Sequence, residues 1–514
     1  MKKQRVLILA AILAMSGLMM AAGSLMAKVK DEVRVALMYE PSTLNMLEIK
    51  TGIELPVIMV MHEALLVADP VTGERTLENS LSESMVIQPD NKSIRIRLRK
   101  GAIFHTGDPV TAHDVKFTFE QAVNPKNANL MAAALDEIEE IEVLDDYNLI
   151  IHLYEPYAAW RELLWLGICS QKYYERVGRE TFRKHPVGSG PFKFKERKSG
   201  EYVLMEAFTE HPVWKSEFKY LKFMVIPDDV TRLALLETGE LDLVSDILPH
   251  HVKRLKQNSH VVVKREASVP SLYGLAVKPD NYPVFKDPNV GLAMRYGVNR
   301  QEIVDRVFLG EGYPLYSYAS KSELGYDPDL SFAYDPDKAR QYLKKSIYKP
   351  GDPLLLTYTS AVPNARMIAA MLQRYLGQIG MTIKLQQLEA GVQATYTRNR
   401  DPREGHMTLY SWGGGRDPST RLLLSVTSDS PYTSYSNRPR QKELDTLVKK
   451  QAREMDPVKR LELLKRVHAI MTEDAAGIII CGANMIYAHS DQIEYNWTPN
   501  ESFTFNLHRI KILK

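Results

Sequence analysis

Residues able to do chemistry are plentiful in this chain, but few stand at the spacings that chemistry requires. His62-Glu63 opens like the helix of a zinc protease, yet Leu66 fills the place where the second histidine must sit. His105 and His113 are too far apart for a local helical pair of ligands. Gly188-Ser189-Gly190 lacks the Gly-x-Ser-x-Gly spacing that exposes a nucleophilic serine at a strand-to-helix elbow, and Pro191 argues for a turn. Gly413-Gly414-Gly415-Arg416 lacks the Gly-Lys-Ser/Thr ending of a phosphate loop. Its glycines can instead let the backbone approach a ligand closely. The carboxylate pairs Asp145-Asp146 and Asp228-Asp229 fall in turn or cap settings, where solvation is the default. No catalytic constellation is visible, so the expectation is a chain that is not an enzyme, with no catalytic residues, metal site or cofactor.

The elements that must position any site read as mixed α and β. Alternating apolar residues predict strands at Val33–Leu37, Ile94–Leu98 and Ile383–Leu385. Thr111 and Asp114 have capping-box spacing ahead of a helix that carries Val115, Phe119 and Ala122 on one face. Asp229 is expected to cap a helix ended by Gly239, with a strand at 241–244 beyond. Asp456-Pro457 places a cap and an N1 proline before Leu461, Leu464, Val467 and Met471. Strand 354–358, helix 365–378 and strand 382–387, with Gly380 after the helix, form a right-handed βαβ unit. That unit implies a partly parallel sheet, which helices cover on both faces. Two such α/β lobes on one chain suggest a ligand cleft at strand ends between them.

The length, 514 residues, is too great for one hydrophobic core and calls for two or three compact lobes. Apolar residues make up 45% and charged residues 25%, which rules out a collagen, a coiled coil or a disordered chain. The net charge of +3 comes from Lys2, Lys3 and Arg5, with no further charge until Lys28. Without those three residues the body is neutral, so it has no overall footprint for nucleic acid. The basic start and the uncharged run 6–27 describe a signal peptide at 1–27; its small terminal residues favour cleavage near Ala22 to Ala27 over the alternative, an uncleaved membrane anchor. No cysteine stands at the junction to accept a lipid. The mature protein is therefore expected in the periplasm, exported, soluble and not lipid-anchored. Cys169 and Cys481 sit in apolar settings and read as two buried free thiols.

Several blocks in fixed order carry a family resemblance. Tyr39 to Asn45 resembles an opening "P-x-x-L-N/D-P" segment, with Met46 replacing its last proline. His62-Glu63-Ala64-Leu65-Leu66 and Asp69-Pro70-Val71-Thr72-Gly73 resemble "Y-E-G-L…D-P-x-T-G". Leu98 to Gly107 resembles "L-R-K-G-V-K-F-H-D-G", and Val110 to Glu120 continues it. Val187 to Phe194 resembles a "G-T-G-P-F/Y" block. Asp287 to Val304, Tyr435-Ser436-Asn437 and Leu444 to Leu447 match further blocks, with Gly291 and Met294 departing from the pattern. From about Val33 to Ile493 the chain thus resembles the extracytoplasmic solute-binding proteins of ABC importers, family 5, the peptide/nickel-binding group.

That resemblance implies an α/β, two-lobe periplasmic-binding-protein fold (type II, cluster C-like) with an extra subdomain in the first lobe. By motif position the first lobe is 28–268 plus 490–514, the extra subdomain about 60–185, and the second lobe 270–488. Hinges would lie near 268–275 and 485–492. The implied function is capture of a peptide-like ligand in the interlobe cleft for delivery to an ABC membrane permease, by a monomer that binds no nucleic acid. The alternative is the same fold holding a nickel complex, opine or oligosaccharide. An exported enzyme or chaperone-like module is the remaining reading.

The expected ligand-binding residues are Tyr410, Trp412, Gly414, Gly415, Arg416 and Asp417, since Tyr410 to Pro418 resembles the family's "W-x-A/G-D-x-x-D-P" loop. The resemblance assigns Asp417 to the ligand's α-ammonium, although Gly414 stands where relatives carry another acid. A charge-assisted bond of that kind stabilises by about 1.5–3 kcal/mol when water is excluded. Trp412 can offer flat apolar area. For a ligand carboxylate, Arg366, Arg416 and Arg421 all remain open, because a guanidinium fork matches a carboxylate.

Overall fold

The computed structural model describes residues 30–267, 271–429, 440–474, 477–499 and 506–513. The expected signal segment 1–27 and the Tyr435-Ser436-Asn437 block lie outside the described residues. Two large sheets organise the chain. The first orders seven strands as Val261–Glu266, Met485–Ser490, Leu243–Val244, Glu32–Leu37, Tyr220–Val225, Tyr202–Ala207 and Phe192–Lys198. Glu32–Leu37 is parallel to its two neighbours, and the outer pairings are antiparallel. Val33, Val35, Leu221 and Phe223 are buried, as strands covered on a face require.

The second sheet orders six strands as Gly312–Pro314, Ile478–Ala483, Ser271–Val277, Met407–Gly413, Pro353–Tyr358 and Thr382–Gln387. The predicted βαβ unit is present within it. Pro353–Tyr358 and Thr382–Gln387 pair in parallel, with Leu354 opposite Ile383. The Ala365–Gln378 helix between them buries Ile368, Leu372 and Leu376, a stripe at helical spacing that packs on the sheet. Gly380, at φ +102°, takes the left-handed conformation just past the helix end.

A four-stranded antiparallel sheet, ordered Ser82–Ile87, Ser93–Leu98, Asn148–Leu153 and Ile138–Asp145, has its own core. Ile94, Ile96, Leu149 and Ile151 alternate inward against Val115 and Phe119 of the Ala112–Val123 helix. The Thr111/Asp114 capping box forms as predicted.

Three expectations change. The helix Asp229–Glu237 is capped by Asp228, whose carboxylate accepts the Thr231 amide at 2.7 Å; Asp229 instead faces His251 at 3.1 Å. The strand foreseen from 241 covers only Leu243–Val244. The chain also leaves the second sheet at Ala483 and enters the first at Met485, so 485–488 pairs beside Val261–Glu266 rather than in the second lobe. The apolar run from Ile478 to Ala488 hides that crossing, because only Gly482 and Asn484 interrupt it. Cys169 and Cys481 are buried free thiols in separate cores.

Candidate functional site

A cavity of about 180 Å³ lies where the three sheet units meet, open on one side to solvent. Its wall from the second-sheet unit is the Gly414–Gly415 backbone, directly after the strand Met407–Gly413. A Cβ built on Gly415 would stand 3.5 Å from Glu162 Oε2, so the glycine keeps main chain beside a carboxylate. The opposite wall carries His62, Glu63 and Ala64, and Pro191, Trp214, His508 and Arg509 close one end.

Gly188 and Gly190 fix that opposite wall. A Cβ on Gly188 would fall 2.0 Å from Met61 O, and one on Gly190 would fall 2.5 Å from Met61 C. The Gly190 amide donates to Met61 O at 2.8 Å, and His105 meets the Gly190 carbonyl at 2.9 Å. The Gly-Ser-Gly-Pro segment is therefore a seat on which Met61–His62 rests, which explains glycines that are no serine elbow.

Charge in the cavity is mostly paired. Arg99 Nη2 donates to Glu63 Oε1 at 2.7 Å, with His211 Nε2 at 3.4 Å from the same oxygen. Arg75 Nε donates to Glu162 Oε2 at 3.3 Å. Burial holds His62 down to about 4, and burial with the neighbouring Arg509 and His211 holds His508 down to about 3, so both stay neutral near pH 7. The His211 ring accepts the Val213 and Trp214 amides at 3.1 and 2.9 Å and so sets the start of the Trp214 turn. Trp214 in turn packs 4.3 Å from the His508 ring and lies under the Arg509 guanidinium at 5.2 Å.

The predicted loop divides. Gly414 and Gly415 line the cavity; Tyr410, Trp412, Arg416 and Asp417 do not. Tyr410 crosses Gly274, where a Cβ would meet its hydroxyl at 2.5 Å, and packs with Trp412 on Leu272, Tyr313 and Tyr318. Arg416 pairs with Glu74 of the hairpin Val67–Thr76. Asp417 is gripped by Arg460 and accepts the Ser419 amide at 2.9 Å. Of the other arginines, Arg421 is buried against Glu323 at 2.6 Å and Arg366 is exposed on its helix. Glu63, Arg75, Glu162, Trp214 and Arg509 were not anticipated as site residues. They converge from positions scattered between 63 and 509, and only Glu63 stands in a motif block.

The arrangement offers backbone groups, two carboxylates, a stacked guanidinium and flat aromatic area around one small cavity, which suits a small polar ligand. Residues 76–434 match the model of bacterial extracellular solute-binding proteins, family 5, middle region. The glutathione-binding protein GsiB of Escherichia coli is 24% identical over 446 residues, covering 84% of this chain and 86% of that protein. The ABC-transporter substrate-binding protein CtaP of Listeria monocytogenes superposes with a TM-score of 0.85 at 23% identity, covering 95% of this chain and 100% of that one. DppA of Helicobacter pylori, solved with the peptide STSA, gives a TM-score of 0.81 at 22% identity over 94% and 98% of the two chains. The fold is thus the two-lobe binding-protein fold. Among the described residues no helix is long and apolar enough to cross a membrane.

Proposed function

The chain belongs to the bacterial extracellular solute-binding proteins of family 5, and from that premise we propose that it captures a short peptide-like solute in the cavity beside Gly414–Gly415. The observation that carries the reading is an uninterrupted glycine backbone facing acidic and basic side chains across one small cavity. An extended peptide needs partners for its own N–H and C=O groups once buried, and a glycine main chain can lie close enough to supply them. The glutathione-binding and STSA-bound relatives support a ligand of this class.

The two lobes are built on the two large sheets; the strand Val261–Glu266 belongs to the first and the next strand, Ser271–Val277, to the second, and the chain returns to the first at Asn484. Closure about these segments dries the site and presents a ligand-loaded shape to a partner permease of the ABC type. Glu162 takes the ammonium role. It borders the glycine wall, whereas Asp417 is already neutralised. The mature protein works as an exported soluble monomer after loss of residues 1–27. Titration calorimetry with di- to tetrapeptides, beside native mass spectrometry of protein as purified, tests the ligand class. A co-purifying sugar or metal chelate, with no heat from any peptide, would overturn it.

A further inference from the structure

We propose that Arg509, stacked on Trp214, is a carboxylate-receiving subsite at one end of the cavity, so that the protein selects solutes bearing a free carboxylate there. The inference rests on reading this cavity as the solute site. Its first support is an unmet bonding demand. Arg509 Nε and Nη1 are shut from solvent and have no acceptor among the described residues, although the side chain lines the cavity. Arg75, in the same cavity, already donates to Glu162. A buried cationic donor without a partner is destabilising, and an arriving anion relieves it.

The second support is rigidity. Arg509 ends the turn Leu507–Arg509, and Leu507 and Ile510 on either side are buried in the core of the first sheet. Lys511–Ile512 then pairs with Ile493–Glu494, which anchors the segment from its far side. The Trp214 ring beneath the guanidinium fixes its plane, and the Trp214 amide is held by His211. A planar donor held in advance loses little freedom on binding an anion.

The charges nearby do not fulfil the demand. Asp69 and Glu78 attract Arg509 through space, but Asp69 Oδ1 is committed to the Val71 and Thr72 amides of its own turn, at 2.9 and 2.7 Å. Beside the guanidinium, His508 Nε2 is also buried without a partner and adds a second unmet group at the same end. Glu162 lines the cavity as well, so an ammonium there and a carboxylate at Arg509 would orient a zwitterion.

The test compares matched libraries of free-acid and C-terminally amidated tripeptides, with succinate and citrate as non-peptide acids. Binding is read on wild type, Arg509→Met and Arg509→Lys. Wild type should prefer the free acids by about tenfold or more, as expected when one partner of a desolvated charge pair is lost. In Arg509→Met that preference should fall to about twofold or less, with amides bound as by wild type, and Arg509→Lys should retain part of it. Arg509→Met should fold, because it removes an unpaired buried charge; a melting point equal to or above wild type checks this, and Arg509→Lys carries the test otherwise. Amides bound as tightly as acids, or a preference that survives Arg509→Met, overturns the subsite while leaving the peptide reading intact. Succinate or citrate binding lost in Arg509→Met, with both libraries silent, supports the subsite and overturns the peptide reading. Silence of all the probes on wild type overturns both.

Discussion

Asp417 and Arg460 form a two-pronged ion pair, with Nη2 on Oδ1 and Nη1 on Oδ2, each at 2.7 Å, and both side chains are about nine-tenths buried. Arg460 Nη2 also reaches Ser419 Oγ at 2.6 Å, so one guanidinium ties the end of the glycine loop to the helix Pro457–Glu473. The carboxylate expected to meet a ligand is spent on holding the loop whose glycines line the cavity. Asp417→Asn should therefore act first on stability. Leaving Arg460 buried and half-paired should lower the unfolding free energy by about 3 kcal/mol, the lower end for breaking a buried pair, because Asn keeps some hydrogen bonds. Urea melts check this. Coincident melts together with collapsed peptide affinity would return the ammonium role to Asp417.

Glu162→Gln should leave the melt nearly unchanged, since Glu162 is partly exposed and its pair with Arg75 is long. It should weaken binding of a free-amine peptide by about tenfold or more, by losing the partner of a desolvated charge. N-acetylation of the peptide should cost a similar factor, and the two losses should not add, because they remove one interaction. Additive losses in calorimetry would place the ammonium elsewhere.

Local chemistry made part of this molecule readable in advance. Ile368, Leu372 and Leu376 recur at helical spacing between two strand-like runs, so the βαβ unit was legible. The Thr111/Asp114 box was legible because a cap is a contact between near neighbours. The loop at Gly414–Gly415 was singled out by its family resemblance, but the neighbours of Asp417 were not legible, since Arg460 lies 43 residues away in sequence. Trp214, Glu162 and Arg509 had no local signal at all. Their meeting is a product of packing between separate sheets, which no periodicity records. The match of helix 365–378 and the miss at Asn484 differ because Gly380 stands at the helix end it punctuates, while Gly482 lies inside the strand Ile478–Ala483 and only Asn484 marks the crossing itself.

The seat beneath Met61 should be intolerant of a single methyl. Gly188→Ala would push its Cβ to within 2.0 Å of a backbone carbonyl, where no flexible side chain can give way. The loss should reach or exceed the ~1–3 kcal/mol typical of overpacking, and the displaced His62–Ala64 wall should weaken ligand binding too. Gly200→Ala, at φ +74° but with open space around it, should cost only about 1 kcal/mol of backbone strain and leave binding alone. Equal melts for the two variants would remove the close-packing argument.

Acid should destabilise the fold through its histidines. His62 is held down to about 4, and His105, His468 and His508 to about 3, chiefly by burial. In the unfolded chain each titrates near 6.5, so between about 6.5 and about 4 the unfolded state binds more protons than the folded one. Stability must then rise with pH across that window and be lost as pH falls through it, by roughly 1.4 kcal/mol per pH unit for each histidine at full effect. Asp114, pushed up by burial, has the opposite sign just above its ordinary value and softens the slope at the acid end. Urea melts from pH 7 to pH 4 measure it, and His468→Gln should flatten the curve.

The four-stranded unit and the helix Gln441–Arg453 touch at one edge, and under the proposed closing motion these contacts would act as a latch. Arg453 donates to both oxygens of Glu137, at 2.5 and 3.2 Å, and the Ala158 amide donates to Ala452 O at 2.8 Å. Buried Tyr157 stands beside them, with the Arg453 guanidinium 5.8 Å from its ring centre. Arg453 is well exposed, so solvent screening limits its pair with Glu137 to about 0.5–1 kcal/mol. Such contacts exist only when the lobes meet, so weakening them should favour opening without touching the ligand. Arg453→Met should then speed peptide release about two- to fivefold and leave association nearly unchanged, because differences between related complexes fall mostly on the off-rate. Stopped-flow dissociation measures this, and small-angle scattering of ligand-free protein should show a larger radius of gyration for Arg453→Met than for wild type. An unchanged off-rate with an unchanged radius would mean that closure draws its stability from the cavity and not from this edge.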